Sequence, residues 1–256
     1  MTTVNDILQF METVAPQSLK MEWDNVGLLC GNRTTPVTKI LVALDPFEHV
    51  CDEAAAWGAQ LIVTHHPLIF VAPKSITEST SVGRSILKLC RSGISAINAH
   101  TNLDQVADGI NDILARKLGL SNIETICENN MQLLRCGDVQ EQSLDAFLAE
   151  VKACLGCEGL RYADGGKPVR KVAVGGGACG SELWQAVLAG CDTFVTADVK
   201  YNQFWDAKDA GMNIIDAGHF CTENPVCAYL AEKIAAAFPE VEVKISETHA
   251  DCVKYY

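Results

Sequence analysis

What most narrows the fold of this chain is the rhythm in which short, unbroken apolar runs alternate with amphipathic segments. KILVALD (39–45), FEHVCDEAAAWG (47–58) and QLIVTHH (60–66) follow one another in that order. A strand that is apolar at successive positions has no face to spare for water, so it belongs in a sheet covered by helices on both sides. The three segments therefore predict a βαβ unit with a buried parallel sheet. The pattern recurs in SVGRSILKLCRSG (81–93, helix), ISAINAH (94–100, strand) and GINDILARKLGL (109–120, a helix stopped by Gly119). Ahead of them Ile7, Leu8, Phe10, Met11 and Val14 fall on one face of a helix from Thr3 to Val14, which Pro16 follows.

Beyond residue 122 or so the texture changes. IETIC (123–127) and QLLRCGDV (132–139) read as strands, SLDAFLAEVKACL (143–155) as a helix and YADGGKP (162–168) as a turn. KVAVGGG (171–177), DTFVTAD (192–198) and MNIIDAG (212–218) then read as strands, separated by the helical SELWQAVLAG (181–190) and VKYNQFWDAKDAG (199–211). A last helix, PVCAYLAEKIAAAF, and a strand, VEVKISET, follow. The expected class is α/β, with two interlinked α/β units and mostly parallel, helix-covered sheets. The expected division is 1–125 together with 212–256 as the unit bearing the metal ligands, and 126–211 as the second. No fixed-period repeat relates the halves.

Composition supplies the exclusions. A hydrophobic content of 48% in 256 residues is ample for packed cores. A formal net charge of -12 argues against affinity built on phosphate-backbone contacts, so nucleic acid is not an expected partner. No window approaches the roughly 18 apolar residues of a membrane span. The start, MTTVNDILQFMETV, carries acids where a signal peptide carries bases, and a cytoplasmic location is expected. The 12 cysteines are scattered through apolar runs (Cys30, Cys51, Cys90, Cys136, Cys154, Cys191, Cys227) and read mostly as small buried hydrophobes. Cys154 and Cys157 form a CxxC that no second pair or histidine cluster completes into a zinc site.

Only six histidines occur, and four of them, at 65, 66, 100 and 219, come directly after apolar strand-like runs. In parallel α/β sheets, sites form outside the carboxyl ends of strands, where residues distant in sequence converge. Imidazoles together with carboxylates suit zinc, iron, manganese, nickel or cobalt. His65 and His66 alone could equally be polar residues at a strand end. Asp104, four residues after His100, reads as a carboxylate on a loop that can swing to the site, or else as a helix cap. Glu223 follows His219 at a spacing that shares one helix face if the segment is helical, and Pro225 suits the first turn of the next helix. GGGACGS after KVAV looks like a phosphate-binding glycine turn, but it lacks the Walker lysine and the full GxGxxG, so a tight strand-to-helix turn is expected. His49 and His249 end no strand-like run beside acids and read as solvated or structural.

EWDNVGLLCG (22–31), VTHHPLIF (63–70), AHTNLD (99–104) and GHFCTE (218–223) resemble, in order, the signature segments of the NIF-three-like, YbgI-like proteins, often labelled GTP cyclohydrolase 1 type 2 homologs. The resemblance implies a two-part α/β fold, a homohexameric ring and a dinuclear centre of two divalent metal ions per chain. His65, His66, Asp104, His219 and Glu223 would be its ligands, with Glu223 bridging and His100 close by. In one departure, Lys200, Tyr201 and Asn202 stand where the family carries Lys-Tyr-His, which removes the imidazole that an acid–base role would need. Two ions can lower the pKa of a shared water, so the expected activity is metal-dependent hydrolysis of a nucleotide or other phosphorylated small molecule. The contrasting expectation is a metal-binding or metal-delivery ring protein with no turnover.

Overall fold

The structure, a computed structural model, describes residues 1–128 and 131–256. The chain opens with α1 (Val4–Val14), β1 (Gly27–Cys30), β2 (Lys39–Ala43), α2 (Glu48–Trp57), β3 (Leu61–Thr64), α3 (Ser81–Ser92), β4 (Ser95–Asn98) and α4 (Thr101–Gln105). Next come α5 (Ile110–Lys117), β5 (Ser121–Glu128), β6 (Met131–Gln142), α6 (Leu144–Leu155), β7 (Arg161–Ala163) and β8 (Val169–Val174). They are followed by α7 (Leu183–Leu188), β9 (Thr193–Thr196), α8 (Tyr201–Asp209), β10 (Asn213–Asp216) and α9 (His219–Glu223). α10 (Pro225–Ala237) and β11 (Glu242–Ile245) complete the elements.

Two compact units result: Met1–Val106 with Val226–Ala250, and Ala107–Pro225 with Asp251–Tyr256. Residues 107–125, 212–225 and 251–256, which the sequence reading placed with the first unit, fall in the second. β10 there pairs in parallel with β9, and Leu114 and Ala115 of α5 join a core with Phe147 of α6 and Val172 of β8. Pairing and burial outweigh adjacency in sequence.

The first unit holds the five-stranded sheet β1-β4-β3-β2-β11. β4, β3, β2 and β11 run parallel, and only β1 is antiparallel, along β4. Every residue of β3 and β4 is buried, including the polar Thr64, Ser95 and Asn98. α2 and α3 contribute Val50, Cys51, Ala54, Ile86 and Leu89 to the core against Leu41 and Ile62. Both helices end on a left-handed glycine, Gly58 and Gly93.

The second unit holds the six-stranded sheet β5-β6-β8-β9-β10-β7. Its parallel centre, β8-β9-β10, is flanked by the antiparallel β5–β6 pair on one side and by β7 on the other. Antiparallel neighbours need no crossover helix, so β5 is followed directly by β6 and the strand–helix alternation breaks there. Of the seven cysteines expected to pack as hydrophobes, Cys51, Cys136, Cys191 and Cys227 are buried, Cys30 is half-buried, and Cys90 and Cys154 are exposed. No helix among the described residues is long and apolar enough to cross a membrane.

Candidate metal centre

In the first unit the strand ends present the predicted histidines. β3 stops at Thr64, but backbone bonding persists one step further: His66 N–H donates to Leu44 O at 2.9 Å, and Thr64 Oγ1 donates to His66 O at 2.7 Å. His65 is fully buried, and its Nδ1–H donates to Ala99 O at 2.9 Å, the carbonyl that follows β4. His66 Nδ1–H donates to Asp45 Oδ1 at 2.7 Å, and His100 Nδ1–H to Asp24 Oδ1 at 2.8 Å. Tautomers are assigned from these partners, since an oxygen acceptor requires the proton on Nδ1. In the neutral form of each ring Nε2 then carries the lone pair. His65, His66 and His100 each offer a ring nitrogen within 4.8 Å of the others, a group that could hold a metal ion.

Asp104 does not sit on a loop. It lies in α4, a single helical turn whose N-cap is His100. Asp24 explains the turn: its Oδ2 accepts from Thr101 N–H at 3.0 Å and from the Thr101 hydroxyl, while its other oxygen takes His100. Burial alone would raise the Asp24 carboxyl, but the bonds from His100 and Thr101 outweigh it and hold this group well below the usual carboxylate range. Asp104 Oδ1 lies 3.7 Å from His65 Nε2. Exposed Trp23 and Phe70 stand edge-on to the His100 ring at 6.2 and 6.1 Å, and 5.6 Å from each other.

In the second unit His219 and Glu223 are the first and last residues of α9, so the segment between them is helical and both lie on one face. Gly218 starts the turn with φ +82. His219 Nδ1–H donates to Asp198 Oδ2 at 2.7 Å, and His219 Nε2 lies 3.0 Å from Glu223 Oε2. Asp198 holds a left-handed backbone, φ 51, an uncommon conformation of the kind that gathers at functional sites. A neutral ring protonated on Nδ1 turns a lone pair toward the Glu223 carboxylate, an acceptor–acceptor contact that a cation held between them would turn into attraction. The His65–Asp104 contact has the same character.

The glycine turn is a frame and not an anion cradle. Gly175 N–H donates to Val195 O, Gly176 N–H to Asn111 Oδ1 and Gly177 N–H to Thr222 Oγ1. Its amides are thus spent on β9, α5 and α9. Gly177 has φ +63, and a Cβ there would overlap Glu223 Oε1, so glycine is required for Glu223 to sit where it does. Asn202, at the position expected to hold a family histidine, is exposed and donates to Asp206 on its own helix at 3.4 Å. Cys157 is buried with its thiol on Ala217 O at 3.1 Å, while Cys154 is exposed, so the CxxC gathers no metal site.

Sequence reasoning missed Asp24, Asp45 and Asp198. Asp45 and Asp198 end KILVALD and DTFVTAD, so the criterion that found the histidines, a polar residue directly after an apolar strand, applies to them as well. His249 is 5% exposed at its side chain and bonded to Asp45, so of the two readings given for it the structural one holds.

The protein is thus of the two-sheet α/β class, with His, Asp and Glu groups that could hold a metal ion. The chain belongs to the DUF34/NIF3 family: the model described as Duf34/NIF3 (NGG1p interacting factor 3) matches residues 2–252. It is 38% identical over 255 residues to a protein of Clostridium perfringens named GTP cyclohydrolase 1 type 2 homolog, covering 97% of each chain. A protein of the same name from Clostridium acetobutylicum is 34% identical, with 98% of each covered. Among solved structures, the Staphylococcus aureus hypothetical protein SA1388 superposes with a TM-score of 0.93 at 28% identity, covering 99% of both chains. The Bacillus cereus protein related to NIF3 gives 0.90 at 26%, covering 100% of this chain and 99% of that one.

Proposed function

We propose that the chain is a divalent-metal-dependent hydrolase in which His65, His66, Asp104, His219 and Glu223 are the ligands of a dinuclear centre, with His100 beside them. The observation that carries this reading is the orientation of the imidazoles. His65, His66, His100 and His219 each commit Nδ1–H to a carbonyl or carboxylate oxygen, the outer bond that orients metal-ligating histidines and raises their basicity. Core histidines have no common reason to present the same nitrogen in this way.

Two divalent ions, when bound, acidify water and stabilise developing negative charge. The chain's own residues do the rest. Asp24, Asp45 and Asp198 orient the rings, and the buried setting of His65 and Glu223 strengthens their charge interactions. Trp23 and Phe70 offer an exposed aromatic wall beside His100 on which a planar base can stack. That wall favours a nucleotide over a simple phosphoester. Rigidly oriented rings favour retained metal, which speaks for an enzyme over a delivery protein that must release its ions.

The test is metal analysis of protein purified without chelator, followed by assay of GTP and nucleotide phosphoesters with manganese, iron or zinc. About two ions per chain and turnover that His66→Ala abolishes are expected. No turnover above the His66→Ala background with any of these metals overturns the hydrolase reading. Ready transfer of metal to an acceptor would install the delivery reading in its place. The hexameric ring implied by the family resemblance belongs to the same proposal, and sedimentation analysis checks it.

A further inference from the structure

We propose that His249 is a positioning residue for the His66 imidazole, acting through Asp45; the inference rests on His66 being a metal ligand. Asp45, just past β2, divides its two oxygens between two rings. Oδ1 accepts from His66 Nδ1–H at 2.7 Å, and Oδ2 accepts from His249 Nε2–H at 2.9 Å. A carboxylate bonded to His66 alone could turn about its last torsion and carry the ring with it. The second bond fixes the carboxylate plane, and so the direction in which His66 Nε2 points.

His249 is itself held in place from several sides. Its N–H donates to Ser246 Oγ at 3.2 Å. Glu53 on α2 grips the segment after β11, accepting from Glu247 N–H at 3.0 Å, Thr248 N–H at 3.2 Å, the Ser246 hydroxyl at 2.6 Å and the Thr248 hydroxyl at 2.8 Å. The His249 ring packs edge-on to Phe47 at 5.9 Å and tilted against His49 at 5.7 Å. The end of β2, helix α2 and the segment after β11 therefore converge to place one buried imidazole against one carboxylate oxygen. Filling space would require the ring but not the bond.

Cobalt(II) titration, read by its visible absorption bands, separates these roles in the full chain. His249→Phe keeps the aromatic volume and loses the donor; His249→Gln keeps an N–H at similar reach. Affinity for cobalt is expected to fall about 10–100-fold in His249→Phe and to recover to within a few-fold of wild type in His249→Gln. Asp45→Asn should weaken binding as well, and adding His249→Phe to it should cost little more, because the two act in series. If His249→Phe does not fold, as judged by circular dichroism, Asp45→Asn still decides, since wild-type affinity for cobalt in that variant would overturn the proposal. A wild type that binds cobalt alongside a His249→Phe that binds equally well overturns this inference alone. A wild type that takes up no cobalt overturns the metal reading beneath it.

Discussion

At the scale of single residues, each candidate ligand histidine is set by the bond it makes through Nδ1. His65 is positioned by a backbone carbonyl, His66, His100 and His219 by carboxylates, and each partner comes from another strand end or loop. Gly177 belongs with them, since its missing Cβ makes room for Glu223 Oε1. Gly177→Ala should destabilise the protein by roughly 1–2 kcal/mol from left-handed backbone alone. It should also reduce metal uptake by displacing Glu223. Urea unfolding and metal analysis of one preparation check both, and an alanine variant with wild-type stability and uptake would refute the account. The four candidate histidines stand out in the sequence because an imidazole directly after an apolar strand is anomalous. Asp45 and Asp198 follow the same rule, but aspartate is so ordinary at turns that they do not stand out.

Elements carry the next layer of cause. α6 stands on the second sheet through Phe147, Val151 and Leu155, which join Val169 and Val172 of β8 in one core. Phe147 is fully buried, so Phe147→Ala should cost about 3–5 kcal/mol, measured as a shift in the urea midpoint at constant slope. In the first unit the segment after β11 is tied to α2 by Glu53. Burial tends to raise this carboxyl, but bonds from Glu247, Ser246 and Thr248 prevail and lower it from 4.5 to about 2. Because the folded value is depressed, the stabilisation is full above the unfolded pKa and is lost as pH falls from about 4.5 toward 2. Glu53→Gln should therefore be less stable at neutral pH, and its stability should change less than the wild type's over that acid window. Thermal melts from pH 7 to pH 2 test the sign, and parallel curves for the two proteins would count against it. The expectation that Asp104 lies on a loop failed at this scale, because Asp24, distant in sequence, caps α4 and makes it helical.

For the whole molecule, a ligand that binds only the folded chain must raise its stability. Zinc or manganese at about 100-fold above the dissociation constant should add about 2.7 kcal/mol. His66→Ala should lose most of that increment while the apo protein melts close to wild type. Differential scanning calorimetry with and without metal decides, and an equal metal effect in both proteins would remove His66 from the centre. The division into two compact units also belongs to this scale. The α/β class was visible in the alternation of apolar runs, yet the placement of 107–125 and 212–225 was not, because strand pairing is non-local.

By itself the sequence determined the class of fold, the positions of most strands and helices, and the strand ends that the candidate histidines follow. These follow from local periodicity and from the physical anomaly of histidines placed after buried strands. Tertiary structure alone decided which oxygen holds each imidazole, that the glycine turn spends its amides on its own frame, that α4 is helical, and that His249 reaches Asp45. Each of these depends on groups brought together across tens to hundreds of residues by sheet order and burial, and no spacing within a single segment encodes them.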